Sequence, residues 1–454
     1  GQGGDAPGGA GGGGGGELRC PVVRGASFGS SGETELLRLE ADAQGASYLQ
    51  GRVDGEVDFG GGALTGTGTT FIAKLSADGG FEWSRLLANH AAADPGPFSV
   101  NDIAPTHDGA LLVAGTFQLE LNLGAAGVVT SAGANDVFVA RFDDAGNAWT
   151  RRIGTATAEH LQEMQVDSAG NIWLLGQYGA DPITVGGTPI GAPSRLFVLR
   201  LDSDGNPVWG DAPGDGQVLP GRIAVSEFGY ALTGTLVDSA TFGSQVALLP
   251  PAATEGATYI AVADSAGSYL WAGGYGEGGS VTTRAIDLTS SGGLAFAAGL
   301  NGAIRLGDEA DGAELLGAVQ TDAVVGRLDG SGTHQWSAVY GGVQDQTAYT
   351  IAHSDGDSAL LLAGYVQGSI DLGGGARELA GQEGHYVAKI GLTGEHICSF
   401  AYAQDAIVDS FAAAPLPDDG FIVGGTYAGE LSPGGGVELQ SASTRNAFVV
   451  WYGP

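Results

Sequence analysis

The chain has 454 residues, 83 of them Gly, and 18 Lys and Arg against 51 Asp and Glu, a formal charge of −33. So acidic a surface repels phosphate backbones and anionic headgroups, which argues against nucleic acid as a partner and leaves cationic partners, divalent ions or plain solubility. No apolar run approaches the ~18 residues of a membrane span, while 43 % apolar content is enough for a large core.

Residues 1–16 (GQGGDAPGGAGGGGGG) cannot bury apolar surface and read as a flexible tether. A sharper reading has the poly-Gly run packing as extended, polyproline-II-like strands against another chain, a route to self-assembly that Gly permits because backbones approach closely. The Gly-rich start also looks like a mature end left after processing, with a lipidated residue upstream left open. The two cysteines, Cys20 and Cys398, suit an exported protein with one disulfide and equally a chain with two inert thiols.

From Glu17 onward the chain repeats one unit. FIAKLSADGGFEW from Phe71 recurs as VFVARFDDAGNAW around Phe138, LFVLRLDSDGNPVW from Leu196 and AVVGRLDGSGTHQW from Ala323. Weaker copies are YIAVADSAGSYLW from Tyr259 and YVAKIGLTGEHIC from Tyr386, and a last copy from Phe448 stops at FVVWYGP. A second anchor, an apolar strand running into Gly, falls at Gly51, Gly115, Gly176, Gly234, Gly299, Gly364 and Gly425, spaced 58 to 65 residues apart. Two anchors with one period and one count predict seven units of four strands. The first strand is short. The second is apolar at nearly every position, as for burial on both faces. The third alternates, with Phe71, Ala73 and Leu75 on one side and Ile72 and Lys74 on the other. The fourth starts near a Trp. An excursion between strands two and three reads as a small extra hairpin. Four-stranded sheets at this period build an all-β, seven-bladed β-propeller over residues 17–454. The last copy lacks its fourth strand, so a closing strand at about 19–24 (Arg19–Arg24) should supply it and remove the free edge.

The Phe-Val-Ala-Arg-Phe-Asp run at Phe138–Asp143, the copy at Phe197–Trp209 and the Asp-Ser-Ala-Gly-Asn turn at Asp167–Asn171 resemble the bacterial seven-bladed propeller repeat (SBBP-type) family, of the kind found in secreted and surface proteins of myxobacteria. The resemblance spans about Leu18 to Pro454. It implies the fold and an exported location, with no common catalytic site. The copies at Tyr259 and Tyr386 depart from the pattern, losing the cation and the Trp respectively.

Cations recur at one third-strand position: Lys74, Arg141, Arg200, Arg327 and Lys389. They fit inter-blade ion-pair or hydrogen-bond positions with buried stems, against the alternative of an anion site around the axis. Trp83, Trp149, Trp209, Trp271 and Trp336 share another slot, filling space where outer strands diverge rather than forming a sugar-binding ladder. Asp202–Asn206 and Asp143–Asn147 have calcium-like composition but no complete loop, and the same residues make tight hairpin turns. The seven histidines lack zinc spacing, and His107 and His353 read as one solvated turn position in two blades. No nucleophile elbow or acid pair stands out, so no catalytic, metal or cofactor residue is assigned. Cys398 occupies the Trp slot of its unit and Cys20 falls where the same slot would lie in the closing strand. Outer strands diverge there, whereas a bridge needs Cα atoms within roughly 7 Å.

The expectation is an exported, acidic, non-enzymatic propeller at the cell surface. It would act as a binding or structural scaffold toward a protein, a glycan or copies of itself in a filament or array, without a cofactor. Excursions such as Gly55–Thr69, Ala180–Ser194 and Ala303–Thr321 would present the contact surface. The alternative is a carbohydrate-active hydrolase or lyase with its site at the mouth of the central channel.

Overall fold

In a computed structural model the chain is all-β, with two single-turn 3₁₀ segments among the described residues. The structure describes residues 20–454 except 88–96, 147, 192–193, 248–256, 307–312, 318–319, 343, 355–357 and 404–410. The Gly-rich tail, residues 1–16, lies outside the described residues.

Seven four-stranded antiparallel sheets follow one another, each a meander from an inner to an outer strand. The inner strands are Ser31–Ala41, Phe98–Pro105, His160–Val166, Val218–Val225, Glu277–Leu288, Gln346–His353 and Phe411–Pro415, in blades 1 to 7. Packing makes the ring. Phe71, Ala73 and Leu75 of blade 1 join a core with Ile422 and Val449 of blade 7. Ile72, between them in sequence, packs with Val113 and Phe138 of blade 2. The third strand is thus buried on both faces, each contributing to a different inter-blade core. Seven such clusters fill the seven junctions, blade 7 to blade 1 included.

The recurrent Gly has a local cause. In six blades the inner strand carries a one-residue bulge beside this Gly, in five at the Gly pair, as between Leu36 and Arg38 opposite Gly51 and Gln50, and in blade 5 one residue further on. A Cβ on Gly51 would overlap the carbonyl of Glu35 and the ring of Phe71. The buried aromatic of the third strand lies over that space, so the two sequence anchors are two halves of one contact.

Ring closure departs from the expected boundaries. The closing strand is Val22–Phe28, not 19–24, and pairs with Asn446–Tyr452 through Phe28↔Ala447 and Gly25↔Val450. Register explains the shift: the chain needs Cys20 and Pro21 to turn past the terminus, where Cys20 N–H donates to the Pro454 carbonyl at 3.1 Å and Gly453 N–H to that of Pro21 at 2.8 Å. The excursions form separate two-stranded hairpins in blades 2, 3, 4 and 7, whereas in blades 1 and 6 they prolong strands two and three. No helix among the described residues is long and apolar enough to cross a membrane.

Candidate functional site

Both tight turns of a blade lie at one end of the ring, and the repeated cations and Trp residues gather there. Lys74 is 5 % exposed and reaches into blade 2, with Nζ 2.9 Å from Asp144 and 3.2 Å from the Gly109 carbonyl. Arg327 donates to the Leu392 carbonyl of blade 6 at 2.8 Å, and Lys389 to the Asp419 carbonyl of blade 7 at 2.7 Å. Arg141 stays in its own blade on Asp108, and Arg200 lies over the rings of Trp173 and Trp209. None of the five lines the central channel.

The Trp slot packs on the next blade's turn. Trp83 Nε1–H donates to Asp144 at 2.6 Å. Trp149, Trp209, Trp271 and Trp336 lie against Gly205, Gly267, Gly332 and Gly394, each with φ between 80° and 91°. Arg151 stacks on Trp149, its guanidinium 4.9 Å from the ring centroid. Arg24, not Cys20, holds this slot in blade 7. It faces Trp451 across the strands, so the cation and the Trp have exchanged places, and its guanidinium lies 4.3 Å from the Trp451 ring. Cys20 sits four residues earlier, before the strand begins and where other blades have a turn, and is bonded to Cys398 of blade 6 with Cα atoms 6.3 Å apart. The disulfide therefore occupies the one junction where the turn that Trp covers elsewhere is interrupted by the chain ends.

On the ring axis the inner strands enclose a cavity of about 500 Å³, lined by all seven blades. Asn101, Asp102, Glu163, Arg222, Arg284 and Tyr349 stand at or just after the bulges, because a bulge re-aims side chains and leaves a strand N–H without a ladder partner, while Glu40, Asp287 and His353 lie further along the same strands. Blade hands on to blade. Arg38 donates through Nη2 to the Asn101 carbonyl at 2.9 Å, and Asn101 Nδ2–H donates to that of Leu161 at 3.0 Å. Asp102 accepts from Met164 N–H at 3.0 Å, and Glu163 from Ile223 N–H at 2.6 Å. Arg222 Nε–H donates to the Arg284 carbonyl at 2.6 Å. Asp287 accepts from the backbone N–H of His353 at 2.6 Å and pairs with its Nδ1 at 2.9 Å. His353 is thus buried, unlike the exposed His107, which corrects the expectation of a shared solvated turn: His353 ends an inner strand and His107 lies two residues past one.

Among the described residues, side chains on this wall with polar atoms outside that relay include the Glu40 carboxyl, the Arg284 guanidinium, the Tyr349 hydroxyl and His353 Nε2. Glu40 and Glu163 retain contact with channel solvent yet are ringed by protein. Burial, then repulsion from Asp102 and Glu163, pushes the Glu40 carboxyl up to about 8. Burial also lifts Glu163 to about 7, against the pull of Arg222. Burial pushes Asp287 upward too, but its hydrogen bonds from His353 and that residue's charge outweigh it and hold the carboxyl below its ordinary value. The walls differ: blades 1 to 5 bring the carboxylates and guanidinia, whereas blades 6 and 7 bring Tyr349, Ile351, Phe411 and four alanines, with His353 at the blade 5 boundary on Asp287. No signal in the repeat marks the polar residues, because they vary between blades. Among the described residues no group of three or more His, Cys, Asp or Glu could hold a metal ion.

No family model matches the chain, and no curated protein sequence matches it. Among solved structures it is similar to a Dyadobacter fermentans protein of unknown function at 11 % identity, TM-score 0.38, over 95 % of this chain and 99 % of that one. A puromycin hydrolase is 13 % identical, TM-score 0.37, over 87 % of this chain and 58 % of that one. The hemagglutinin-neuraminidase ectodomain of parainfluenza virus 5 is 9 % identical, TM-score 0.36, over 96 % and 83 %. At these scores the likenesses bear on no activity of this chain.

Proposed function

We propose that the chain is an exported, non-enzymatic binding propeller whose ligand site is the axial channel and whose excursions present a contact surface around it. One observation carries this reading. Of the four carboxylates on the axis among the described residues, Asp102, Glu163 and Asp287 are spent on N–H groups of the next blade, and Glu40 alone of these is uncommitted. Glycoside hydrolysis needs two carboxyls in different roles about 5–10 Å apart, so the relay supports binding over turnover. The disulfide supports an oxidising, extracytoplasmic location. Thermal-shift screening against a glycan and small-molecule panel, with NMR of the bound compounds over a day, tests it. Binding without conversion is expected. Conversion abolished by Glu40→Gln would favour the hydrolase alternative, whose support is a carboxyl lifted to about 8 and so protonated at neutral pH. Self-assembly through residues 1–16 remains part of the proposal. Sedimentation of the full chain against one starting at Glu17 tests it, and identical monomers would count against it.

A further inference from the structure

Resting on the channel reading, we infer that the ligand is a hydroxylated ring carrying one oxyanionic group, held by Arg284 and Arg222 and stacked on Tyr349. The site is bipartite. Tyr349 is 40 % exposed on one wall, beside Phe411, while the opposite arc is polar. A sugar ring matches that division, with a C–H face for an aromatic and hydroxyls for the other side. The cavity, about 500 Å³, is of the size that holds small ligands.

The charge argument singles out the anion. Arg284 is the bulge residue of blade 5, exposed, with no acidic partner within ion-pair distance among the described residues. Its carbonyl anchors Arg222 of the neighbouring blade, so both arginines stand on one arc. The chain has 51 acidic residues for 18 cationic ones, and Lys74, Arg141, Arg152 and Arg445 each have acidic partners. A guanidinium left open on the axis of such a chain is a ready receptor for a carboxylate or phosphate, which it grips bidentately. The four axial carboxylates oppose this less than their number suggests. Burial lifts the Glu40 carboxyl to about 8 and that of Glu163 to about 7, which favours their neutral forms. Against Arg38, Arg222 and Arg284 that leaves chiefly Asp102 and Asp287, and Asp287 also faces His353.

Isothermal titration of the intact protein with D-glucuronate, D-glucose 6-phosphate, D-glucose and D-glucosamine tests the inference. At least one anionic sugar should bind at least tenfold tighter than glucose, as loss of a charge-assisted bidentate contact implies. Arg284→Gln, at an exposed position, should remove that advantage while leaving the melting temperature unchanged. Glucuronate alone binding identifies a carboxylate ligand, and the phosphate alone a phosphate ligand; both uphold the oxyanion. Affinity should fall as pH rises from 6 to 9, because an anion here favours protonated Glu40 and Glu163, and each linked proton is worth up to tenfold per pH unit. If glucose or glucosamine binds as tightly as the anions, and Tyr349→Ala abolishes that binding, the channel reading stands and the oxyanion falls. If no compound binds, or Arg284→Gln changes nothing, the inference is overturned.

Discussion

Replacing Cys20 and Cys398 together by alanine isolates what the bridge contributes to ring closure. The bond spans 378 residues of sequence, for which the loop-entropy relation gives a ceiling of about 6 kcal/mol, with most measured disulfides at about 2–4 kcal/mol. The seam keeps other ties without it. Val22–Phe28 stays paired with Asn446–Tyr452, Arg24 still covers Trp451 and donates to the Ala77 carbonyl at 2.5 Å, and Gly453 N–H still donates to the Pro21 carbonyl. The double variant should therefore fold. With an unfolding entropy of about 2.1 cal/mol/K per residue, a loss of ~3 kcal/mol across a ring of this length lowers Tm by about 3 °C. Hydrogen exchange should localise the effect, with closing-strand amides losing protection while those of blades 2 to 5 hold. An unchanged Tm with unchanged exchange would refute the assignment of the bridge as the seam's fastener. Equal loss of protection in every blade would refute the idea that the ring opens first at the seam.

Glu40→Gln should be neutral at low pH and stabilising at high pH. A folded-state carboxyl pKa near 8 lies above the unfolded value near 4.5, so the native state binds the proton more tightly and stability falls as pH rises between those values. The variant should match the parent in urea melts at pH 5 and exceed it at pH 9; an equal margin at both would refute the shift. Lys74→Met removes a buried cation whose partners Asp144 and Glu82 are 54 % and 35 % exposed and can return to water. The expected cost is about 1–2 kcal/mol rather than the 3–5 of a stranded buried charge, measured by chemical denaturation. Gly394→Ala and Gly375→Ala share a φ near 91°, but only the first puts a Cβ against a ring, that of Trp336, whereas the second meets nothing within 4 Å. Both should bear ~1–2 kcal/mol of left-handed backbone cost, and Gly394→Ala about 1–3 kcal/mol more from overpacking. Equal losses would show that the Trp-on-turn contact is slack.

What repeats in this chain was legible in its sequence, because repetition reports geometry common to all blades. The count, the alternation of the third strand and the interrupted last blade all follow from Phe71-type and Gly51-type positions, which the structure joins in one contact. The closing strand, Val22–Phe28, starts later than RCPVVR, because chain length does not set its register. Its register is instead set by Arg24 facing Trp451, a pairing hidden by the exchange of cation and Trp. The axial site was invisible for a different reason. Asp102, Glu163, Arg222 and Asp287 come from inner strands some 60 residues apart, at positions occupied by Ala285, Thr350 or Ala352 in other blades. A residue that varies from blade to blade carries no periodic signal, and only the ring brings these together.

The bulge links the two classes of residue. Placed opposite the invariant Gly, it is an architectural feature, and the N–H groups around it demand acceptors that the preceding blade supplies through Asp102 or Glu163. That demand fixes a polar side chain at the axis in some blades for structural reasons, and having met it the same position is available for recognition. Among the described residues blade 7 pairs Phe411–Pro415 without a bulge and brings no charge to the axis, and blade 6 has a bulge but presents Tyr349 there. The asymmetry of the channel, charged on one arc and apolar on the other, is thus a consequence of where the relay stops. A ligand read by this propeller has to bridge that boundary, touching Arg284 on one side of it and Tyr349 on the other. Tyr349→Ala and Arg284→Gln should accordingly weaken the same ligand, with the double variant little worse than the more damaging single one if both groups grip one ring.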